Sequence, residues 1–230
     1  MLPPMDVRLA LRELTDALLP ERCVVCERFG AALHDECLPT LARADGQRCD
    51  RCWAPSPVSP CATCLAAPPA FEALRAPYRF EGAARRALLE AKFRGVTTLL
   101  APLALAAAEA VPADWCPTLV VPVPLHRARQ RTRGYNQAGI AAEAVARRLG
   151  VACREAALLR TRATAPQATL DAARRASNVV AAFEASGVAG ERVLVVDDIT
   201  TTGATLDACA RALLDAGAAA VFALAVARED

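Results

Sequence analysis

Asp197 and Asp198 follow four consecutive apolar residues, Val193 to Val196, and lead into Ile199-Thr200-Thr201-Thr202-Gly203-Ala204-Thr205. Two adjacent carboxylates can grip a pair of hydroxyls or a divalent cation, and they repel an anion. The small, hydroxyl-rich turn behind them has the opposite preference. Its backbone N–H groups, its threonine hydroxyls and the positive end of a helix starting near Gly203 can converge on one anion. Glycine at 203 lets the main chain approach that anion closely. A ribose phosphate with free 2′ and 3′ hydroxyls meets both demands, its phosphate in the turn and its diol on the acids. The lysine of a Gly-Lys-Ser/Thr phosphate loop is missing, which argues against a nucleoside triphosphatase.

A second set of residues points to metal. Of ten cysteines, seven lie between Cys23 and Cys64, and they are spaced in pairs. Cys23-x-x-Cys26, His34-x-x-Cys37, Cys49-x-x-Cys52 and Cys61-x-x-Cys64 supply eight ligands, enough for two tetrahedral zinc ions. Each pair is a short turn that aims two ligands at one metal. Two such turns close the shell and leave no open position, the mark of a structural site. The simplest pairing puts Cys23, Cys26, His34 and Cys37 on one ion, with Cys49, Cys52, Cys61 and Cys64 on the other. Four consecutive pairs argue against incidental cysteines or a single redox dithiol. Large apolar residues are sparse in this region, so metal must stand in for a core.

The elements that must position these groups follow from periodicity. Leu9, Leu11, Leu14, Leu18 and Leu19 form a helical apolar face that Pro20 stops. After Cys64, Leu65 to Pro77 reads as a linker. From Tyr78 onward strands and helices alternate: a short strand closed by Gly82, helices over 83–93 and 97–110, and an apolar strand over 118–124. An arginine-rich stretch and a helix over 136–149 come next, with Ile140, Ala144, Val145 and Leu149 on one side. The strand ending at Asp198, a helix over 203–216 and a last strand over 219–227 complete the series. Continuous apolar runs between helices predict a parallel sheet covered on both faces, an α/β fold. In such a sheet ligands bind at the carboxyl ends of the strands, where Asp197 and Asp198 stand.

The chain of 230 residues carries a net charge of +2, too little for a global pull toward nucleic acid or membrane. Its length suits one or two domains, and the composition divides it into 1–67 and 68–230. Asp6, Arg8, Arg12, Glu13 and Asp16 interrupt the N-terminal segment, which therefore lacks the apolar core of a signal peptide. The longest uncharged, mostly apolar stretch, Gly95 to Ala108, falls short of the roughly 20 residues of a membrane span. The expectation is a cytoplasmic protein without membrane insertion, its cysteines metal-bound or free.

The apolar strand, acidic pair and Thr-Thr-Gly-x-Thr turn of Val193 to Thr205 are similar to the phosphoribosyl diphosphate (PRPP) motif of type I phosphoribosyltransferases. Together with Val120 to Ala138, Leu158 to Val179, Ala91 to Gly95 and the paired cysteines, they make nearly the whole chain resemble the ComF/ComFC competence-associated family. The resemblance implies a type I phosphoribosyltransferase fold preceded by a double zinc ribbon, with His34 where the family commonly carries a cysteine. It further implies Mg²⁺-PRPP as donor, Asp197 and Asp198 on the ribose hydroxyls, and Thr201, Thr202, Gly203, Ala204 and Thr205 around the 5-phosphate, with Thr200 at the rim. Pro122, Val123, Pro124 and Leu125 match the loop that meets the pyrophosphate.

Arg127, Arg129, Arg131 and Arg133 alternate, so an extended segment would set all four on one side, where guanidinium forks suit a pyrophosphate. Arg133, within Arg-Gly-Tyr-Asn-Gln, is the preferred candidate; His126 is a further possible contact. The polar stretch Thr161 to Arg175 resembles a flexible lid, with Arg162, Gln167 and Arg175 as its contacts. The expected activity is pentosyl transfer to an unidentified acceptor. Two alternatives stay open: a single-stranded nucleic-acid-handling accessory of DNA uptake, and a PRPP-sensing regulator. A homodimer is compatible with all three.

Overall fold

Sheet and cysteine turns account for most of the architecture in the computed structural model, which describes residues 21–125, 127–161 and 182–230. The leucine face before Pro20 lies outside the described residues, as do His126, Arg162, Gln167 and Arg175. The chain divides into two compact units, Met1–Leu41 and Ala42–Asp230. In the first, described from Glu21, two cysteine turns are followed by a short 3-10 turn, Leu38–Thr40.

The second unit opens with another pair of cysteine turns and helix α1 (Ala62–Ala66). Strands β1 (Leu74–Arg75) and β2 (Tyr78–Arg79), helices α2 (Gly82–Phe93) and α3 (Leu100–Ala108) and strand β3 (Leu119–Pro122) come next. Helices α4 (Arg127–Arg133) and α5 (Gln137–Leu149) precede strand β4 (Ala152–Cys153) and the antiparallel pair β5 (Leu158–Arg160) and β6 (Phe183–Ala185). Strand β7 (Arg192–Thr200), helix α6 (Ala204–Asp215) and strand β8 (Ala220–Arg228) close the chain.

The central sheet has the order β1-β8-β7-β3-β4, with β2 also on β8, and every pairing is parallel. Alternate residues explain the apolar runs. Leu119, Val121, Val193, Val195, Val221 and Ala223 share one core with Leu206, Cys209 and Leu213 of α6. Val120, Leu194, Val196 and Leu224 are equally buried and, by the alternation of the pleat, face the other way, where α3 and α5 lie. Helix α5 is buried along Ala138, Ala141, Ala142, Ala144 and Val145. Ile140 and Leu149 are only partly covered, because alanines let the backbones of α3 and α5 approach closely.

Two expectations are corrected. Leu65 to Pro77 is not a linker: it contains part of α1, strand β1 and the fully buried Phe71, Leu74 and Ala76. The arginine row is helical, not extended. Alternate positions on an α-helix are about 200° apart, so the four arginines do not share a side.

The division after Leu41 has a physical cause. Three successive carbonyls of the third cysteine turn accept hydrogen bonds from the sheet's edge: Asp50 from Arg75 Nη1 (2.9 Å), Arg51 from the Leu74 N–H (2.9 Å) and Cys52 from Arg228 Nη1 (3.0 Å). Arg48 adds a two-pronged ion pair to Asp230, 2.8 Å on each prong, its side chain only 7% exposed. Composition changes near residue 67, whereas these bonds join the Cys49–Cys64 segment to the sheet. Among the described residues no helix is long and apolar enough to cross a membrane.

Candidate active site and metal centres

The paired cysteines converge as their spacing predicts. Cys23, Cys26, His34 and Cys37 form one group and Cys49, Cys52, Cys61 and Cys64 another, with all ligand atoms of each group within 4.8 Å of one another. Zinc–sulfur bonds of about 2.3 Å at tetrahedral angles require sulfurs about 3.8 Å apart. Cys52 and Cys61 Sγ are 3.7 Å apart, Cys49 and Cys64 Sγ 3.9 Å. His34 turns Nδ1 to within 3.3 Å of Cys26 Sγ, close to the slightly shorter edge that a nitrogen ligand needs. All eight residues fit zinc, and the two groups can hold two ions.

The turns are copies of one another. Glu27 and Trp53, each just after the second cysteine, adopt left-handed φ of 62° and 60°. In both turns the first cysteine's carbonyl accepts from that residue, and its N–H donates five residues on, Cys23 to Arg28 and Cys49 to Ala54. Isolated bridges Arg22–Phe29 and Arg48–Pro55 recur at the same offset. The thiols are shifted in both directions: burial pushes Cys37 up to about 11 and also raises Cys52 and Cys64. Arg28 brings Cys26 down to about 6. At Cys49 burial works the other way, but the N–H groups of Cys52, Cys61 and Arg51 outweigh it and bring that thiol down to about 6. Thiolate is the form a metal binds.

At the C-terminal edge of the parallel strands lies an open cavity of about 550 Å³. Asp197, Asp198 and Thr200 line it from β7, Val123, Pro124 and Leu125 from the turn after β3, Thr201, Thr202 and Gly203 from the turn before α6, and Ala204 and Thr205 from the first turn of α6. Each acid accepts one local backbone N–H: Asp197 Oδ1 from Asp198 (2.8 Å) and Asp198 Oδ1 from Ile199 (2.9 Å). Burial, and then the neighbouring Asp198, push the Asp197 carboxyl well above the usual range; Lys92 pulls it back in part. Thr200 lines the cavity from the strand rather than from the turn. It is buried as the last residue of β7, paired with Arg228, and its carbonyl accepts from the Glu229 N–H at 2.9 Å.

Gly203, the N-cap of α6, has φ +79°. That left-handed bend turns the chain from β7 into the helix, whose first residues line the cavity, and the Ala204 N–H donates to Thr202 Oγ1 at 3.4 Å. An added Cβ would sit 3.6 Å from Phe71 Cζ, an ordinary contact. Gly203→Ala is therefore expected to cost about 1–2 kcal/mol through backbone strain alone, read as a lower urea midpoint with unchanged slope.

Of the other anticipated residues, Arg133 lines the cavity and Pro122 lines a neighbouring one of about 540 Å³. Arg131 is exposed and lines neither, and the side chain of Arg127 lies outside the described residues. Sequence reasoning missed Phe80, Leu89, Lys92, Phe93, Asn136, Gln137, Arg160 and Glu229, all of which line the main cavity. Lys92, the chain's single lysine, was the available signal. The Tyr135 hydroxyl, bonded to the Ala91 carbonyl, ties the end of α2 to the Arg133 segment.

This sheet, with an acidic pair and a threonine turn at its carboxyl edge, defines a type I phosphoribosyltransferase fold. Residues 137–229 match the phosphoribosyl transferase domain model. Over 215 residues the chain is 33% identical to the DNA utilization protein YhgH of Salmonella typhimurium, covering 88% of this chain and 95% of that one. Over 116 residues it is 34% identical to competence protein F of Haemophilus influenzae, covering about half of each chain, 49% and 51%. The Bacillus subtilis glutamine PRPP amidotransferase complexed with ADP and GMP shares 22% identity at a TM-score of 0.41, over 57% of this chain and 26% of that longer one. The chain belongs to the ComF/ComFC family.

Proposed function

We propose that the protein transfers a 5-phosphoribosyl group from PRPP, taken up with Mg²⁺, to an acceptor. One observation carries this reading: two carboxylates and a threonine–glycine turn open into the same cavity at the carboxyl edge of the sheet. The turn would anchor the 5-phosphate through N–H groups and hydroxyls. The acids would hold the ribose diol and so fix C1 toward the turn after β3. The acceptor's lone pair forms the new bond to C1 as the C1–oxygen pair departs with pyrophosphate. Arg133 would meet the negative charge that develops on that group. Bound with the donor, Mg²⁺ supplies charge neutralisation at the pyrophosphate. No protein nucleophile is required.

The test is pyrophosphate release from Mg²⁺-PRPP across a panel of nucleobases and amines. Release with at least one acceptor is expected; no release together with undetectable PRPP binding overturns the reading. Retained binding without turnover would instead make the protein a PRPP sensor.

A second reading is nucleic-acid handling in DNA uptake, favoured by the DNA utilization and competence names of the relatives. Few aromatics and a net charge of +2 weigh against stacked single strands. That reading requires single-strand binding that weakens steeply with salt. The two cysteine groups would be structural zinc centres in every case, and the boundary of the cysteine module stays at residue 67 as a functional division. Sedimentation of the zinc-loaded protein would test the homodimer.

A further inference from the structure

We infer that Gln137 is a binding residue of this site, whose side-chain amide donates to an oxygen of the pyrophosphate end of the donor; this rests on the PRPP reading above. Gln137 opens α5 and is only 2% exposed, yet it lines the main cavity. Arg133 Nη1 donates to its Oε1 at 2.6 Å. An arginine has no acceptor, so this bond fixes the amide's orientation: oxygen toward Arg133, Nε2 away from it. Nε2 then has no hydrogen-bond partner among the described residues. A buried donor left without an acceptor is costly, and native structures rarely leave one unless a ligand or water completes it.

The missing partner must present an acceptor oxygen. The cavity carries acids as well as bases, but the charged group bonded to this amide is Arg133, which favours an anionic one. The helix end alone would not decide this, because the Glu155 carboxylate already rests against Gly139 in the first turn of the same helix. Gln137 opens α5, the second helix after β3, whereas the threonine turn follows β7 and feeds α6. The acids lie at the end of β7, which pairs with β3. A ligand with a phosphate in the threonine turn and its diol on the acids therefore extends its other end toward Gln137. PRPP carries its pyrophosphate there.

The experiment compares wild type, Gln137→Glu and Gln137→Met by calorimetry, using Mg²⁺-pyrophosphate and, separately, ribose 5-phosphate. Glutamate keeps the Arg133 bond and the volume but replaces the donor with an anionic acceptor; methionine removes the donor without adding charge. The expected result is at least a 10-fold loss of pyrophosphate affinity in Gln137→Glu and a smaller loss in Gln137→Met. Ribose 5-phosphate affinity should stay within about twofold, with thermal unfolding unchanged in at least one variant. If both variants bind pyrophosphate as wild type does, the amide meets only water and the inference fails while the PRPP reading stands. If wild type binds neither probe, both fall together.

Discussion

Replacing Asp197 and Asp198 together by asparagine is expected to abolish measurable Mg²⁺-PRPP binding, a loss of at least 100-fold in calorimetry, without unfolding the protein. Asparagine fills the same space but cannot neutralise a cation or accept two diol protons with full negative charge. The control on folding comes from the direction in which Asp197 titrates. Burial and Asp198 raise its carboxyl above the unfolded value, so the folded state holds that proton more tightly. The associated stability is fully present at low pH and is lost as pH rises through the folded value. An amide at 197 carries no charge at any pH, so Asp197→Asn should raise the melting temperature at neutral pH while destroying binding. By the same sign, PRPP affinity in the wild type should strengthen as pH rises from the carboxylate range, because the ligand's cation and hydroxyls favour the ionised acid. Equal binding by the double variant would refute the site.

Chelation or ligand removal at the two cysteine groups should have unequal consequences. Elemental analysis is expected to find two zinc ions per chain, and one in either Cys23→Ser or Cys49→Ser. The second substitution should also lower the melting temperature of the sheet unit by roughly 10 °C or more, since a structural zinc site contributes its binding free energy to folding. Cys49 belongs to the unit that runs from Ala42 to Asp230, and its neighbours Asp50, Arg51 and Cys52 are bonded to β1 and β8. Cys23 belongs to the other unit, so its loss should leave the sheet's melting temperature nearly unchanged. Equal shifts in both variants would contradict the division of the chain at Leu41.

What could be read from the sequence follows from how strongly each environment constrains residue type. Strands buried on both faces must be apolar throughout, so β7 and β8 were plain, and with them the position of the acids at a strand end. Metal ligands permit few residue types at fixed spacing, and the two groups assembled in the simplest pairing. A two-residue strand has no periodicity to display, which is why β1 was hidden in a proline- and alanine-rich stretch, whereas the short strand at Tyr78 was legible from the glycine that closes it. The alternating arginines were misleading because a seven-residue segment with only Ala128 apolar shows no period that separates helix from strand. Lys92, Phe93, Phe80 and Glu229 reach the cavity only because α2, β2 and β8 end at the same edge. Gln137 became visible only when its amide was seen to lack a partner.

The bonds between the third cysteine turn and the end of β8 bear on how the molecule can be cut. A fragment begun at residue 68, where composition suggests a clean break, would discard Arg48 and the Cys52 carbonyl. Asp230 would keep only Arg228, and Arg228, itself just 8% exposed, would lose the acceptor that its Nη1 now reaches. Stripping this pair of its other partners is destabilising. The smallest soluble piece carrying the Asp197–Thr205 segment should therefore begin near Ala42, and dissections made at the compositional seam should yield insoluble protein.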